Sequence, residues 1–255
     1  MIEINNIQKS FSGKKVLHGI SAVFKQGKTN MIIGASGTGK SVLLKTIVGL
    51  IPPDEGEVLF NGRNFYNVNR DEQKEIRREI GMLFQGSALF DSMTVAQNVM
   101  FPLEMLSNME NDEKNDRVDF CLKRVGLSGS EHKMPSEISG GMKKRVGIAR
   151  AIVMNSQYLF CDEPNSGLDP NTSIVIDNLI QEITHEYNLT TVIVSHDMNS
   201  MMEIGEYILF MSEGKKVWDG TNDDVVHADS EILQKFIFSN KLMRRYKEQS
   251  SEDYN

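Results

Sequence analysis

The sequence predicts an α/β fold: a mostly parallel sheet at the centre, an N-terminal antiparallel β subdomain ahead of it and a helical subdomain inserted into it. Three observations carry this expectation. Short apolar runs, Met31-Ile32-Ile33, Tyr158-Leu159-Phe160-Cys161 and Thr190-Thr191-Val192-Ile193-Val194, alternate with helix-prone segments, as strands buried on both faces of a sheet do. A glycine-rich turn, Gly34 to Ser41, joins the first run to the helix-prone Val42-Leu43-Leu44-Lys45-Thr46-Ile47-Val48. Asp162-Glu163 and Ser195-His196-Asp197 follow the other two runs. Ligands of open parallel sheets sit outside the carboxyl ends of the strands, so Gly34, Asp162 and His196 are expected to converge.

Met1 to Lys28 reads as short strands: Ile2, Ile4 and Ile7 are followed by Val16 to Phe24 and a Gln26-Gly27 turn. Gly34-Ala35-Ser36-Gly37-Thr38-Gly39-Lys40-Ser41 is the P-loop pattern. Its glycines let backbone N–H groups wrap phosphate oxygens, the next helix offers its N-terminal dipole, Lys40 reaches the outer phosphates and Ser41 can ligate magnesium. Pro52-Pro53 ends that helix, and Glu57 to Phe60 with Asn61-Gly62 reads as a strand entering a hairpin. Asp71 to Glu79 is a polar helix, and Ile80 to Phe84 is a short strand delivering Gln85 to a loop. From Thr94 to His132 the texture is helical, with a polar solvated stretch at Asn108 to Asp116. Ser136 to Ser139 precedes Gly140-Gly141 and a helix from Met142 to about Met154. Asp169-Pro170 opens another helix, and strands and helices alternate to Trp218. Thr221 to Asp224 then starts a helix, and Ile232, Leu233, Phe236 and Ile237 form the apolar stripe of a second, free to pack on its own domain or on a partner. A polar, disordered tail is expected from about Lys247. The expected division is therefore residues 1–220, with the helical part at about 94–140, and an extension at 221–255.

At 255 residues, with 40% hydrophobic and 25% charged side chains, the chain suits one large globular domain with a subdomain. No window approaches the roughly 20 apolar residues of a membrane helix, and Met1 to Asn6 has no secretory pattern. Two distant cysteines, Cys121 and Cys161, fit a reducing cytoplasm and buried apolar roles. A net charge of -7 without a long basic run argues against nucleic acid as a partner.

Beyond the P-loop, the chain carries Gln85, Ile138-Ser139-Gly140-Gly141-Met142, a strand ending in Asp162-Glu163-Pro164, then Ser166-Gly167-Leu168-Asp169-Pro170, and His196. In this order they resemble the P-loop, Q-loop, signature, Walker B, D-loop and switch histidine of the nucleotide-binding subunits of ABC transporters. The resemblance covers roughly residues 2 to 220 and departs at Met142, where glutamine is usual, and at Ile138, where leucine is commoner. It implies a P-loop NTPase core that uses ATP and Mg²⁺. Gly34, Ala35, Ser36, Gly37, Thr38, Gly39, Lys40 and Ser41 would cradle the phosphates. Phosphoryl transfer needs positioning and charge neutralisation more than covalent chemistry. Lys40 and the metal would supply neutralisation. Ser41 would ligate the metal, Asp162 would hold it directly or through water, and Gln85 would point at metal and attacking water. Glu163 is implied as general base, a capping or ion-paired acid being the alternative. His196 would sense the γ-phosphate, against a core or capping histidine. Phe11 occupies the adenine-stacking position, against a strand-end core aromatic. Ser139, Gly140 and Gly141 suit a second anion site, with Asp169 beside the nucleotide. In ABC ATPases the signature of one copy closes over ATP on the P-loop of the other, which implies a homodimer, or a pair with a related subunit, around two ATP molecules.

A narrower resemblance lies in Leu83 to Val95, followed by Asn98-Val99 and Pro102-Leu103, together with Met134 to Met142. These stretches are similar to the ATPases of Mla/Mce-type lipid transporters, which maintain outer-membrane lipid asymmetry in double-membraned bacteria. A separate integral permease, an Mce-domain lipid-binding protein and a position on the cytoplasmic face of the inner membrane are what that branch implies. A generic importer or exporter ATPase remains the alternative. Met93, Met100, Met105 and Met109 are either core filler or the lining of a groove for a permease helix. Soluble ABC proteins of repair or translation usually carry two ATPase halves or a long coiled-coil insertion, and neither fits this sequence. A regulatory ATPase would have lost hydrolytic groups, and Glu163, Gln85 and His196 are all present.

Overall fold

The alternation of side chains along the central strands builds two cores, one on each face of a single sheet. The computed structural model describes residues 1–238. In chain order these form β1 (Ile2–Phe11), β2 (Lys14–Phe24), β3 (Lys28–Ile33), α1 (Lys40–Ile47), β4 (Glu55–Phe60), β5 (Arg63–Asn64), α2 (Arg70–Arg78) and β6 (Ile80–Leu83). Then come α3 (Val95–Leu106), α4 (Asn111–Arg124), a 3-10 turn at Pro135–Glu137, α5 (Gly140–Ile152), β7 (Tyr158–Asp162), α6 (Pro170–Glu186) and β8 (Thr190–Ser195). The described chain closes with α7 (Met198–Ile204), β9 (Tyr207–Ser212), β10 (Lys215–Gly220), α8 (Asn222–Val225) and α9 (Glu231–Ile237).

The larger sheet has the order β10-β9-β3-β8-β7-β6, and all its pairs are parallel except β10 with β9. A second, antiparallel sheet has the order β2-β1-β4-β5, its β4–β5 hairpin turning at Asn61-Gly62 with both φ angles positive. In the parallel sheet Met31, Ile33, Leu159, Cys161 and Ile193 face α3 to α6, while Ile32, Phe160, Val192 and Val194 face α1 and the antiparallel sheet. Strands that feed two cores carry apolar side chains on both faces, which is why Met31-Ile32-Ile33 and Tyr158-Leu159-Phe160-Cys161 read as unbroken apolar runs. Both cysteines are buried as expected.

The helices start where their caps dictate. Thr94 and Gln97 form a reciprocal capping box at the start of α3, and Asn69 accepts two main-chain N–H groups at the start of α2. Helix α5 begins at Gly140, two residues earlier than the sequence suggests, because Ser139 caps it by accepting the Met142 N–H. Helix α9 packs on its own sheet: Leu233 and Ile237 are buried, and the Phe236 ring lies 5.2 Å from that of Phe210 in β9. Ile232 departs from the predicted stripe and is exposed, since a seven-residue helix lays only one narrow face on the core. The polar tail expected from Lys247 lies outside the described residues. Among the described residues, no helix is long and apolar enough to cross a membrane.

Burial separates two substitutions cleanly. Phe160→Ala, at a fully buried β7 position, should cost about 3–5 kcal/mol, whereas Ile232→Ser should stay within about 0.5 kcal/mol of the parent. Urea unfolding midpoints measure both, and equal midpoints would contradict the two-core description.

Candidate active site

The glycine-rich turn leaves β3 beneath the end of β9. A Cβ on Gly34 would stand 2.2 Å from the Met211 carbonyl oxygen, so only glycine fits there. The Thr38 hydroxyl donates to the Ala35 carbonyl at 2.9 Å, and Gly214 N–H donates to the Thr38 carbonyl at 3.1 Å, pinning the turn to the β9–β10 hairpin. Ala35, Ser36 and Gly37 stay exposed at its tip, and Gly39 precedes the first residue of α1. Lys40 is buried, and its ammonium donates to the carbonyls of Gly34 (2.8 Å) and Ala35 (3.0 Å). Burial lowers its pKa, opposed by the nearby carboxylates of Glu163 and Asp162. An ammonium held only by neutral carbonyls is ready to exchange them for phosphate oxygens, which are the stronger acceptors.

At the end of β7, Asp162 is buried and accepts a hydrogen bond from the Ser41 hydroxyl at 3.1 Å. One hydroxyl and one carboxylate make a hard-oxygen pair that suits Mg²⁺, which binds through one or two protein oxygens plus phosphate and water. Among the described residues no group of three or more His, Cys, Asp or Glu side chains is placed to hold a metal by itself. The Gln85 side-chain amide donates to the Ser166 hydroxyl at 3.2 Å, linking the loop after β6 to the loop after β7.

Glu163 follows Asp162 with φ at 49°, a conformation uncommon outside glycine, and its N–H donates to the Val194 carbonyl of β8 at 2.9 Å. One carboxylate oxygen lies 2.8 Å from His196 Nδ1. The Glu163 side chain is 15% exposed and that of His196 is 58% exposed, so His196 is no core residue. Glu163 is ion-paired or hydrogen-bonded, as its alternative reading had it, but to another of the predicted site residues. Phe11, at the end of β1, is 43% exposed with the Lys9 ammonium 5.6 Å from its ring centroid, which removes the core alternative for it as well.

Gly34 to Ser41, Asp162, Glu163 and His196 thus lie together at the carboxyl ends of β3, β7 and β8. The signature residues form a separate group. Ser139 caps α5, a Cβ on Gly141 would meet Thr172 Cγ2 at 2.6 Å, and Asp169 caps α6 by accepting Thr172 N–H at 3.1 Å. No hydrogen bond among the described residues joins Ser139, Gly140, Gly141 or Asp169 to the glycine-rich turn. The starts of α1 and α5 are thus built by separate groups of residues.

Two features escaped the sequence reading. Lys144 of α5 is buried and donates to the carbonyls of Gln85 and, at 3.4 Å, Glu163; burial lowers its pKa. Its position on the apolar stripe with Gly141 and Ile148 was the available signal. Asn165 donates to Asp177 of α6 at 2.8 Å and to the Ser200 hydroxyl of α7 at 2.9 Å, tying the loop after β7 to both helices. Beside the Gln85 loop lies an apolar groove of about 640 Å³, lined by Phe84, Phe90, Phe101, Met105 and Leu106 and rimmed by Arg77 and Arg78. Phe84, Phe90, Met105 and Leu106 are exposed there, whereas Met100 and Met109 pack against the core.

The sequence profile described as ABC transporter matches residues 17–166. The probable ribonucleotide transport ATP-binding protein mkl of Mycobacterium tuberculosis is 35% identical over 241 residues, 94% of this chain and 67% of that protein. The intermembrane phospholipid transport system ATP-binding protein MlaF of Haemophilus influenzae is 34% identical over 93% of this chain and 90% of its own length. The methionine import ATP-binding protein MetN of Carboxydothermus hydrogenoformans is 41% identical over 88% of this chain and 67% of its own. Among solved structures, the dimeric post-hydrolysis state of the ATP-binding cassette MJ0796 bound to ADP and Pi superposes with a TM-score of 0.78 at 31% identity, covering 87% of this chain and 99% of that one.

Burial raises the Asp177 carboxyl to about 6, helped by Asp197 and Glu203 and opposed by the hydrogen bonds from Ser200 and Asn165. A folded pKa above the unfolded value of about 3.9 means the protonated form stabilises the fold; that contribution is full below about pH 4 and lost as pH rises through about 6. Asp177→Asn keeps an acceptor for Asn165 and removes the titration. The variant should gain on the order of 1–3 kcal/mol over the parent at pH 8 relative to pH 4. Parallel melting curves for the two proteins across that range would contradict the assignment.

Proposed function

The chain belongs to the ABC transporter family and is an ATPase, and from that premise we propose that it is the motor of a phospholipid transporter, working as a homodimer on a separate membrane permease. The observation that carries the ATPase mechanism is the convergence of the phosphate cradle, the Ser41–Asp162 pair and the Glu163–His196 pair on three neighbouring strand ends.

Backbone N–H groups of Gly34 to Gly39 and the start of α1 bind the phosphates, and Lys40 releases the Gly34 and Ala35 carbonyls to engage phosphate oxygens. Ser41 and Asp162 would hold Mg²⁺, with Gln85 as a further ligand, and the metal would supply charge neutralisation on the phosphates. Glu163 accepts the proton of the attacking water from within about 2.6–3.2 Å. His196 orients that carboxylate through Nδ1 and, in the doubly protonated form in which both ring nitrogens donate, also donates to the γ-phosphate once it is present, so the pair reads nucleotide state as well as serving hydrolysis. Phe11, exposed at the end of β1, stacks on adenine.

Ser139, Gly140 and Gly141 present main-chain N–H groups at the start of α5 to the nucleotide of a second copy, with Asp169 alongside. The dimeric MJ0796 cassette supports such a pairing. The apolar groove beside Gln85 suits an amphipathic helix of a permease, because Phe84, Phe90, Met105 and Leu106 are exposed around it without forming part of either core. Transport then requires a partner that crosses the membrane, which places the chain on the cytoplasmic face of an inner membrane; nucleic acid has no part in this reading. The Gln85 loop, the stretch Met134 to Met142 and the similarity to MlaF support phospholipid as cargo and an Mce-domain protein in the complex. The 41% identity to MetN favours a second reading, the motor of an importer of a small polar solute.

Glu163→Gln should keep ATP binding, abolish turnover and accumulate ATP-dependent dimers on size exclusion; rapid phosphate release by that variant would remove Glu163 from the base role. Purification from membranes in mild detergent, with mass spectrometry of bound protein and lipid, separates the two cargo readings. Recovery of an Mce-domain protein with phospholipid is expected, and recovery of an amino-acid or sugar permease would overturn the lipid assignment.

A further inference from the structure

Buried lysines ordinarily meet a carboxylate, because an isolated ammonium is costly to desolvate. Lys144 makes no close ion pair among the described residues: it is 4% exposed, the carboxylates of Glu163 and Asp162 act on it from beyond contact, and its ammonium donates to two main-chain carbonyls, those of Gln85 and Glu163. Those carbonyls belong to different segments, the loop after β6 and the turn after β7. Both segments carry groups of the hydrolytic site. Lys144 itself stands on α5, five residues beyond the Ser139 cap, or roughly 7.5 Å along the helix axis.

The Glu163 backbone has φ at 49°, a conformation that a non-glycine residue keeps only when its surroundings hold it. Two anchors reach it from outside its own loop: the N–H is bonded to Val194 of β8, and the carbonyl, which also accepts Ser166 N–H at 3.1 Å within the loop, is bonded to Lys144 of α5. The first anchor lies within the sheet. The second is on the helix whose N-terminus carries the signature.

We propose that Lys144 is a positioning residue that transmits seating of the signature on the second copy's nucleotide to Gln85 and Glu163 of its own chain. The proposal rests on the dimeric reading given above. A shift of α5 as Ser139 to Gly141 engage phosphate carries the Lys144 ammonium with it, and the two carbonyls follow. A lysine suits this task because one compact ammonium with three donors can hold two carbonyls from separate loops, whereas an apolar side chain of the same length holds neither.

The test compares the parent with Lys144→Met and Lys144→Gln as purified full-length chains, measuring phosphate release against ATP concentration. Loss of a charged donor from two acceptors should lower kcat about tenfold in Lys144→Met, with ATP affinity and KM within about twofold of the parent. The Hill coefficient for ATP should fall from about 2 towards 1, an effect that loss of packing alone does not produce. Lys144→Gln, which retains one donor, should recover part of both. Unchanged kcat and Hill coefficient would overturn the proposal, as would a fall in kcat matched by an equal loss of ATP binding or of folded protein by circular dichroism. If Lys144→Met does not fold, Lys144→Gln is judged by the same criteria. The dimer itself is read separately, from ATP-dependent size exclusion of Glu163→Gln: absence of dimer there overturns the dimeric reading, and its presence with parent-like Lys144 variants overturns the Lys144 proposal alone.

Discussion

Parallel pairing of β3 with β8 and of β8 with β7 is the constraint on which the site depends. Ile33 pairs with Ser195 and Asp162 with Val194, so the three strands end at one level. The residues that follow each end, Gly34, Glu163 and His196, then emerge side by side although they are far apart in the sequence. Parallel strands need long crossovers, and these crossovers supply the helices that cover the sheet. The same topology therefore buries the strands and exposes the chemistry at their tips. A one-residue slip of β7 against β8 would exchange the faces of Leu159 and Phe160 between the two cores, which ties the accuracy of the site to the packing.

Much of this was legible in the sequence, because two-sided burial imposes unbroken apolar runs and phosphate binding imposes a glycine-rich spacing. The strands at Met31, Tyr158 and Thr190, the Asn61-Gly62 hairpin and the helix opened by Asp169-Pro170 follow from local rules that tertiary context did not override. What was not legible depended on distance. Lys144 reads as an ordinary helix lysine until α5 is laid across Gln85 and Glu163. Asp177 and Ser200 lie 12 and 35 residues from Asn165, the asparagine that joins them, and nothing local marks the three as partners. Ile232 was placed on a buried stripe because periodicity does not say how wide a face a short helix lays down.

The P-loop and the signature differ in what surrounds them. Around Lys40 the chain supplies carboxylates, a hydroxyl and a histidine, the makings of hydrolysis. Around Ser139 it supplies a helix start and two glycines closely backed by Leu168 and Thr172, a surface that can receive an anion but brings no group to act on it. In the proposed dimer the helix start at Ser139 of one copy would face the solvent-open site around Lys40 of the other. The Gln85 loop lies between the site and the apolar groove, so the position of one bears on the other through a few residues.

The central claim is that each working site is shared between two chains. Mixing a Lys40→Ala chain with a Ser139→Arg chain tests it most directly, since each is inactive by itself and their mixed dimer holds one intact P-loop facing one intact signature. ATP hydrolysis should reappear on mixing and scale with the amount of mixed dimer. A mixture as inactive as either variant alone, with mixed dimers present, would contradict the shared site.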